Sequence, residues 1–182
     1  KISSLFNLKI SNLNNLNGLI DLKTNIDFNV DKKFKIKNLL YSTSGNVLEA
    51  DLEVKDLKNI KQYLPKYQAK IKIKDTQIKF TKSKSGHKIN TNGLIKLEND
   101  FDNFDLNETY DHNKKLLTIN GNISLLNTTV KFSKLNYRKS SGDKSELSFD
   151  INFIFNKFYN IKNLRYTAEK NKIYLSHIEL NN

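Results

Sequence analysis

The sequence predicts an all-β fold, a long antiparallel meander of about a dozen strands. Three observations carry that expectation. Apolar and polar residues alternate strictly in several separate stretches, turn-forming residues punctuate them, and only one short stretch has helical spacing.

The first alternating stretch is LIDLKTNIDFNV, residues 19–30. Ile20, Leu22, Ile26, Phe28 and Val30 share one parity, while Asp21, Lys23, Asn25, Asp27 and Asn29 share the other. A period of two gives a strand one buried face and one wet face. Leu48, Ala50, Leu52 and Val54 then alternate with Glu49, Asp51, Glu53 and Lys55. Ala69, Ile71 and Ile73 alternate with Lys70, Lys72 and Lys74, and Ile78 and Phe80 follow. Leu117, Ile119, Ile123 and Leu125 share a face with Gly121. The cleanest run is Leu147, Phe149, Ile151, Phe153 and Phe155, with Ser148, Asp150 and Asn152 on the other side.

Turn signals separate the runs at Ser44-Gly45-Asn46, Ser85-Gly86-His87, Asn92-Gly93, Asp111-His112-Asn113 and Ser141-Gly142-Asp143. Such close spacing favours hairpins over βαβ crossovers. The helix candidate is DLKNIKQYL, Asp56–Leu64. Asp56 can cap it, Leu57, Ile60 and Leu64 lie on one face, and Pro65, the only proline, follows. A helix this short cannot cover the apolar face of so many strands. The sheet must close as a sandwich or barrel, or curl into a trough filled by something else. Residues 1–182 read as one β-rich segment. The first residue is Lys1, not Met, so the expectation is a piece of a larger chain.

The net charge is +12, which on its own suggests an anionic partner. Composition offers a plainer source. Only Arg138 and Arg165 of the 31 basic residues are arginine, asparagine occurs 27 times and alanine three times. Lys, Asn, Ile and Phe have AT-rich codons, so a low-GC genome produces this bias. Nucleic-acid platforms set cations beside exposed aromatics. In KYQAKIKIKD, residues 66–75, the three alternating lysines are instead backed by aliphatic residues on the opposite face. No nucleic-acid partner is expected. The absence of cysteine excludes disulfides, thiol nucleophiles and thiolate metal sites.

No catalytic constellation, metal site or cofactor motif is read from this chain, and an enzyme is not expected. His87, His112 and His177 are scattered. Glu98, Asp100, Asp102 and Asp105 invite a calcium reading, but the EF-hand glycine and terminal glutamate are missing, so the stretch reads as a polar loop.

The segment LTINGNISLLNTTVKFSKLNYRKSSGDKSELSFDINF, within residues 117–180, resembles the β-rich repeats of the AsmA-like family, in particular its YhdP and TamB branch. DLKNIKQYLP, Asp56–Pro65, is similar to a short helix ending in Leu-Pro that interrupts strands there. The resemblance is a texture over most of the chain. It implies a sheet curled into an open apolar trough, with a closed β-sandwich as the alternative. It further implies a periplasmic protein, anchored in the inner membrane through an N-terminal segment absent here, that conducts phospholipid acyl chains between inner and outer membrane. Neighbouring repeats of the same chain would be its other partners. A structural or adhesive β domain without ligand is the alternative function. The resemblance gives a groove-lining role to Ile20, Leu22, Ile26, Phe28, Leu52, Ile71, Ile73, Ile119, Ile123, Phe149, Ile151 and Phe153.

Overall fold

The structure is a computed structural model that describes residues 13–54, 58–154, 158–169 and 171–181. Nine strands form one antiparallel meander: β1 (Leu13–Val30), β2 (Ile36–Val54), β3 (Lys70–Lys82), β4 (Gly86–Lys96), β5 (Phe101–Asp111), β6 (Leu116–Ser124), β9 (Ser145–Ile154), β10 (Phe158–Ala168) and β11 (Asn171–Asn181). Between β6 and β9 the chain leaves the sheet to make a small hairpin from β7 (Val130–Phe132) and β8 (Tyr137–Lys139). The sheet is neither closed nor strongly curled. The closed sandwich is therefore ruled out for the described residues, because no second large sheet faces the first. The expected curling into an open trough is not seen among the described residues either.

Register explains why the alternation is readable. Residues directly opposite in an antiparallel pair share a face. One row crosses eight strands as Thr24, Thr43, Phe80, Ile89, Glu108, Ile119, Ile151 and Ile161. A second runs Phe104, Ile123, Leu147, Tyr166 and Ile173. The opposite face carries Asp21, Lys23, Asn46, Lys79, Asn90, Asn107, Asn120 and Asp150 at comparable positions. Ile154 belongs to this polar face, where it lies between Leu116 and Phe158 in register.

The alternation slips where the strands carry an extra residue. Ile20 pairs with Val47 but Leu19 with Glu49, so Leu48 is a bulge residue and is exposed. On the neighbouring strand Asp75, with φ +47°, is skipped in step. The apolar parity of β2 thus changes from Leu52 and Ala50 to Val47, and that of β3 from Ile71 and Ile73 to Ile78 and Phe80. A period-two reading of Leu48, Ala50 and Leu52 misses this.

Two expected turns are strand interiors. Gly45 lies inside β2 and Gly93 inside β4. A Cβ on Gly45 would sit 2.0 Å from the Asp21 carbonyl oxygen, and one on Gly93 would sit 2.7 Å from the Thr76 Cβ. These glycines permit close strand approach and do not reverse the chain. The signals at Gly86, His112 and Gly142 do fall at chain reversals. The helix expected over 56–64 is a single turn, α1 (Lys58–Lys61), among the described residues, and residues 55–57 lie outside them. Lys55 and Phe155 are outside as well.

Candidate functional site: the apolar sheet face

One face of the sheet gathers the predicted lining residues, and its two ends differ. At the first end, Tyr67, Leu97, Leu125, Val130, Tyr166 and Ala168 form a buried cluster. Ile60, Leu64, Ile71, Ile95, Ile123, Phe132, Tyr137, Leu147 and Ile173 pack around it. The cover comes from two off-sheet segments. One is α1 with the turns that follow it, the other the β7–β8 hairpin. They are joined where the Lys131 N–H donates to the Tyr63 carbonyl at 2.8 Å and where the Tyr63 and Phe132 rings meet. Gln68 N–H then donates to the Leu97 carbonyl.

Buried polar groups fix the hairpin to the sheet. Asp102 accepts from the Asn127 N–H (2.9 Å), the Thr128 hydroxyl (2.7 Å) and the Ser124 hydroxyl (3.4 Å). Glu98 accepts from the Thr129 N–H (2.6 Å) and hydroxyl (3.1 Å), and lies 3.2 Å from the Lys66 ammonium. Lys139 donates to the carbonyls of Leu125, Leu126 and Thr128. Burial pushes the Lys139 pKa down, against the opposing pull of Asp102, Asp143 and Glu98. For Glu98, burial pushes up, but the Thr129 N–H, the Lys66 ammonium and the Thr129 hydroxyl outweigh it and hold the carboxyl below its ordinary range. Glu98 and Asp102 are thus buried acceptors, whereas Asp100 and Asp105 are exposed; the expected polar loop is confined to the connection between β4 and β5 that holds Glu98 and Asp100. Asp102 and Asp105 belong to β5 itself. The sequence signal for this was available in Asn127-Thr128-Thr129, three residues rich in donors.

At the other end of the face β1 has little cover, although Phe80 on β3 is buried. Ile26 is 60% exposed and Phe28 53%, with Leu22 and Val30 exposed beside them. Of the other predicted lining residues, Ile71 and Ile123 pack at the covered end, and Ile20, Leu52, Ile73, Ile119, Phe149, Ile151 and Phe153 are half-buried. Phe28 sits where the β1–β2 register shifts, between Asp27 and Asn29. Across this end runs a row of rings from four strands: Tyr41 to Phe80 at 5.2 Å, Phe80 to His87 at 5.8 Å, His87 to Tyr110 at 5.4 Å, then Tyr110 to His112 at 4.9 Å. His87 also bonds Glu108 at 2.9 Å. Two of the three scattered histidines are thereby placed together in cross-strand packing. His177 lies in β11, and its side chain is outside the described residues.

A recess of about 640 Å³ lies off this face. It is lined by polar-face positions such as Asn103, Asp105, Asn122, Glu146 and Thr167. The polar face also disposes of the lysine ladder. Lys70 pairs with Asp51 at 3.1 Å, and Lys72 lies 3.6 Å from both Glu49 and Asp51. Lys70 and Lys72 are thus matched to cross-strand carboxylates. No family model, no curated protein and no solved structure matches this chain.

Proposed function

We propose that this chain is a segment of a periplasmic, inner-membrane-anchored protein whose apolar sheet face shields phospholipid acyl chains passing between the two membranes. The single observation that carries the reading is an apolar face of nine strands that the described chain covers at one end only. A contiguous apolar surface of this kind calls for a ligand or partner. An acyl chain gains about 0.8 kcal/mol per buried CH₂, and an aliphatic wall with few polar anchors lets it slide. In the longer protein, repeats that follow β11 extend this sheet at that edge, and its curl develops over more strands than these nine. The resemblance to the AsmA-like family supports the same reading. No catalysis and no cofactor enter it.

The test is photocrosslinking in cells, with a photoreactive residue at Ile119, Ile151 or Phe153 and controls at Asp150 and Asn152. Phospholipid adducts confined to the first set are expected. Ile151→Asp should block lipid passage while the protein still accumulates. Equal labelling of both sets, or none, would overturn the reading. The absence of strong curl favours one other account, a structural or adhesive β domain whose face is covered by protein. Adducts between Ile151 and another polypeptide, without lipid, would mark it.

A further inference from the structure

The strand at the N-terminal edge of the sheet carries an arrangement that neither the fold nor lipid shielding uses. Among the described residues β1 is bonded to β2 alone, so its other edge presents a row of backbone donors and acceptors. Edge strands are normally blunted by bulges, prolines or inward charges. From Asn15 to Val30 β1 has none of these. The extra residues at the two register shifts in this stretch belong to β2, at Leu48 and in the 38–39 pair. A long regular edge is a template for another strand.

We propose that this edge is a self-association surface, where two copies of the chain pair β1 against β1 in antiparallel fashion about a twofold axis through Asn25. The side-chain order of the strand is self-complementary about that residue. With Asn25 opposite Asn25 of the second copy, Lys23 meets Asp27 twice, once on each side of the axis. On the apolar side Ile20 meets Val30, Leu22 meets Phe28 and Thr24 meets Ile26. Leu22, Ile26, Phe28 and Val30 are the exposed apolar residues of this strand's apolar parity, and each gains an apolar or methyl-bearing neighbour. Asp21, Lys23, Asn25 and Asp27 are exposed as well. Shifting the axis by one residue spoils the match. About Thr24, Asp21 faces Asp27; about Lys23, two lysines face each other. A twofold axis normal to the sheet keeps both apolar faces on the same side, so pairing doubles the apolar face without burying it. Edge pairing is therefore independent of what that face binds.

The absence of cysteine makes the register testable. Facing Cα atoms in an antiparallel pair are about 4.5–5.5 Å apart, within disulfide range. Asn25→Cys should therefore give a disulfide-linked dimer on mild oxidation with copper-phenanthroline. Lys23→Cys alone and Asp27→Cys alone should not, because each lies four residues, about 13 Å, from its own copy. A mixture of the two should cross-link. In sedimentation, Asp27→Lys should weaken the dimer about tenfold by setting lysines against lysines, and Lys23→Asp with Asp27→Lys should restore it. These side chains are exposed, so the variants should fold as the parent does. A monomer at every concentration, cross-linking through Leu22→Cys in preference to Asn25→Cys, or a double exchange that fails to rescue would overturn the proposal.

Discussion

The two ends of the apolar face are built from the same alternating strands, yet one is a core and the other a surface. At the covered end Val130 is 2% exposed; at the uncovered end Val30 is 54% exposed. The strands do not make this difference. It comes from the segments between them, residues 58–69 after β2 and 125–144 after β6, which turn back over one end only. An antiparallel sheet can leave one face to solvent when that face is polar. Here the uncovered area is apolar, so the lesson is that coverage is local and is fixed by a few buried polar bonds.

The largest effect should come from cutting those bonds. Asp102→Ala leaves the Asn127 N–H and the Thr128 hydroxyl without their acceptor and removes the largest of the three carboxylate charges acting on the Lys139 ammonium. A loss of about 3–5 kcal/mol is expected in urea unfolding. The exposed Asp21→Ala should change stability by less than about 0.5 kcal/mol. If Asp102→Ala cost under about 1 kcal/mol, the hairpin would not depend on this anchor.

A matched pair of valines measures the comparison directly. Val130→Ala should cost about 1.5–3 kcal/mol through lost transfer energy and a residual cavity. Val30→Ala should stay within about 0.5 kcal/mol. Near-equal losses would mean that the second end is covered as well.

Much of this face is legible in the amino-acid sequence alone. The alternation of Leu147 to Phe153, of Ile119 and Ile123, and of Ile20 to Ile26 is maintained in register on one face, because within a regular strand parity and face are the same thing. Parity is lost where a bulge intervenes, at Leu48 and Asp75, since one extra residue exchanges the faces. Gly45 and Gly93 mislead for a related reason. Glycine serves turns and close strand approach alike, and only the neighbouring strand distinguishes them. The roles of Glu98 and Asp102 depend on partners 22 or more residues away, which no local pattern contains. The degree of curl is a property of the whole sheet, and alternation says nothing about it.

The anchor should also respond to pH, and on one side. Glu98 has a folded pKa below its ordinary 4.5. Its contribution is complete above that ordinary value and disappears as pH falls through the lowered one. Lys139 is also lowered, so the cost of its buried charge is present at neutral pH and is relieved only as pH rises toward 10.5. Acid should therefore release the cover first. Hydrogen exchange at the Thr129 and Lys131 amides, corrected for intrinsic rate, should quicken below pH 4.5 before that at Ile119. Glu98→Gln should remove the acid step at those two amides. If Ile119 opened in parallel with them, the cover would not be a separate unit.

The smallest effect tests the uncovered end from the opposite direction. Phe34 closes the β1–β2 connection with φ +57° and is 88% exposed. A bulky L-residue is disfavoured in the left-handed region, where asparagine is tolerated. The turn itself is held by polar groups. The Asp31 carboxylate accepts from the Lys33 and Lys35 N–H groups at 2.8 and 3.0 Å, and the Phe34 N–H donates to the Asp31 carbonyl at 2.9 Å. Phe34→Asn keeps every one of these bonds and removes a ring with almost no cover, so a gain of about 0.5 kcal/mol is expected. Thermal unfolding at low protein concentration, where copies are apart, is the measurement. A loss greater than about 1 kcal/mol there would show that Phe34 is packed within its own chain, and the end of the sheet taken as open would be a second core.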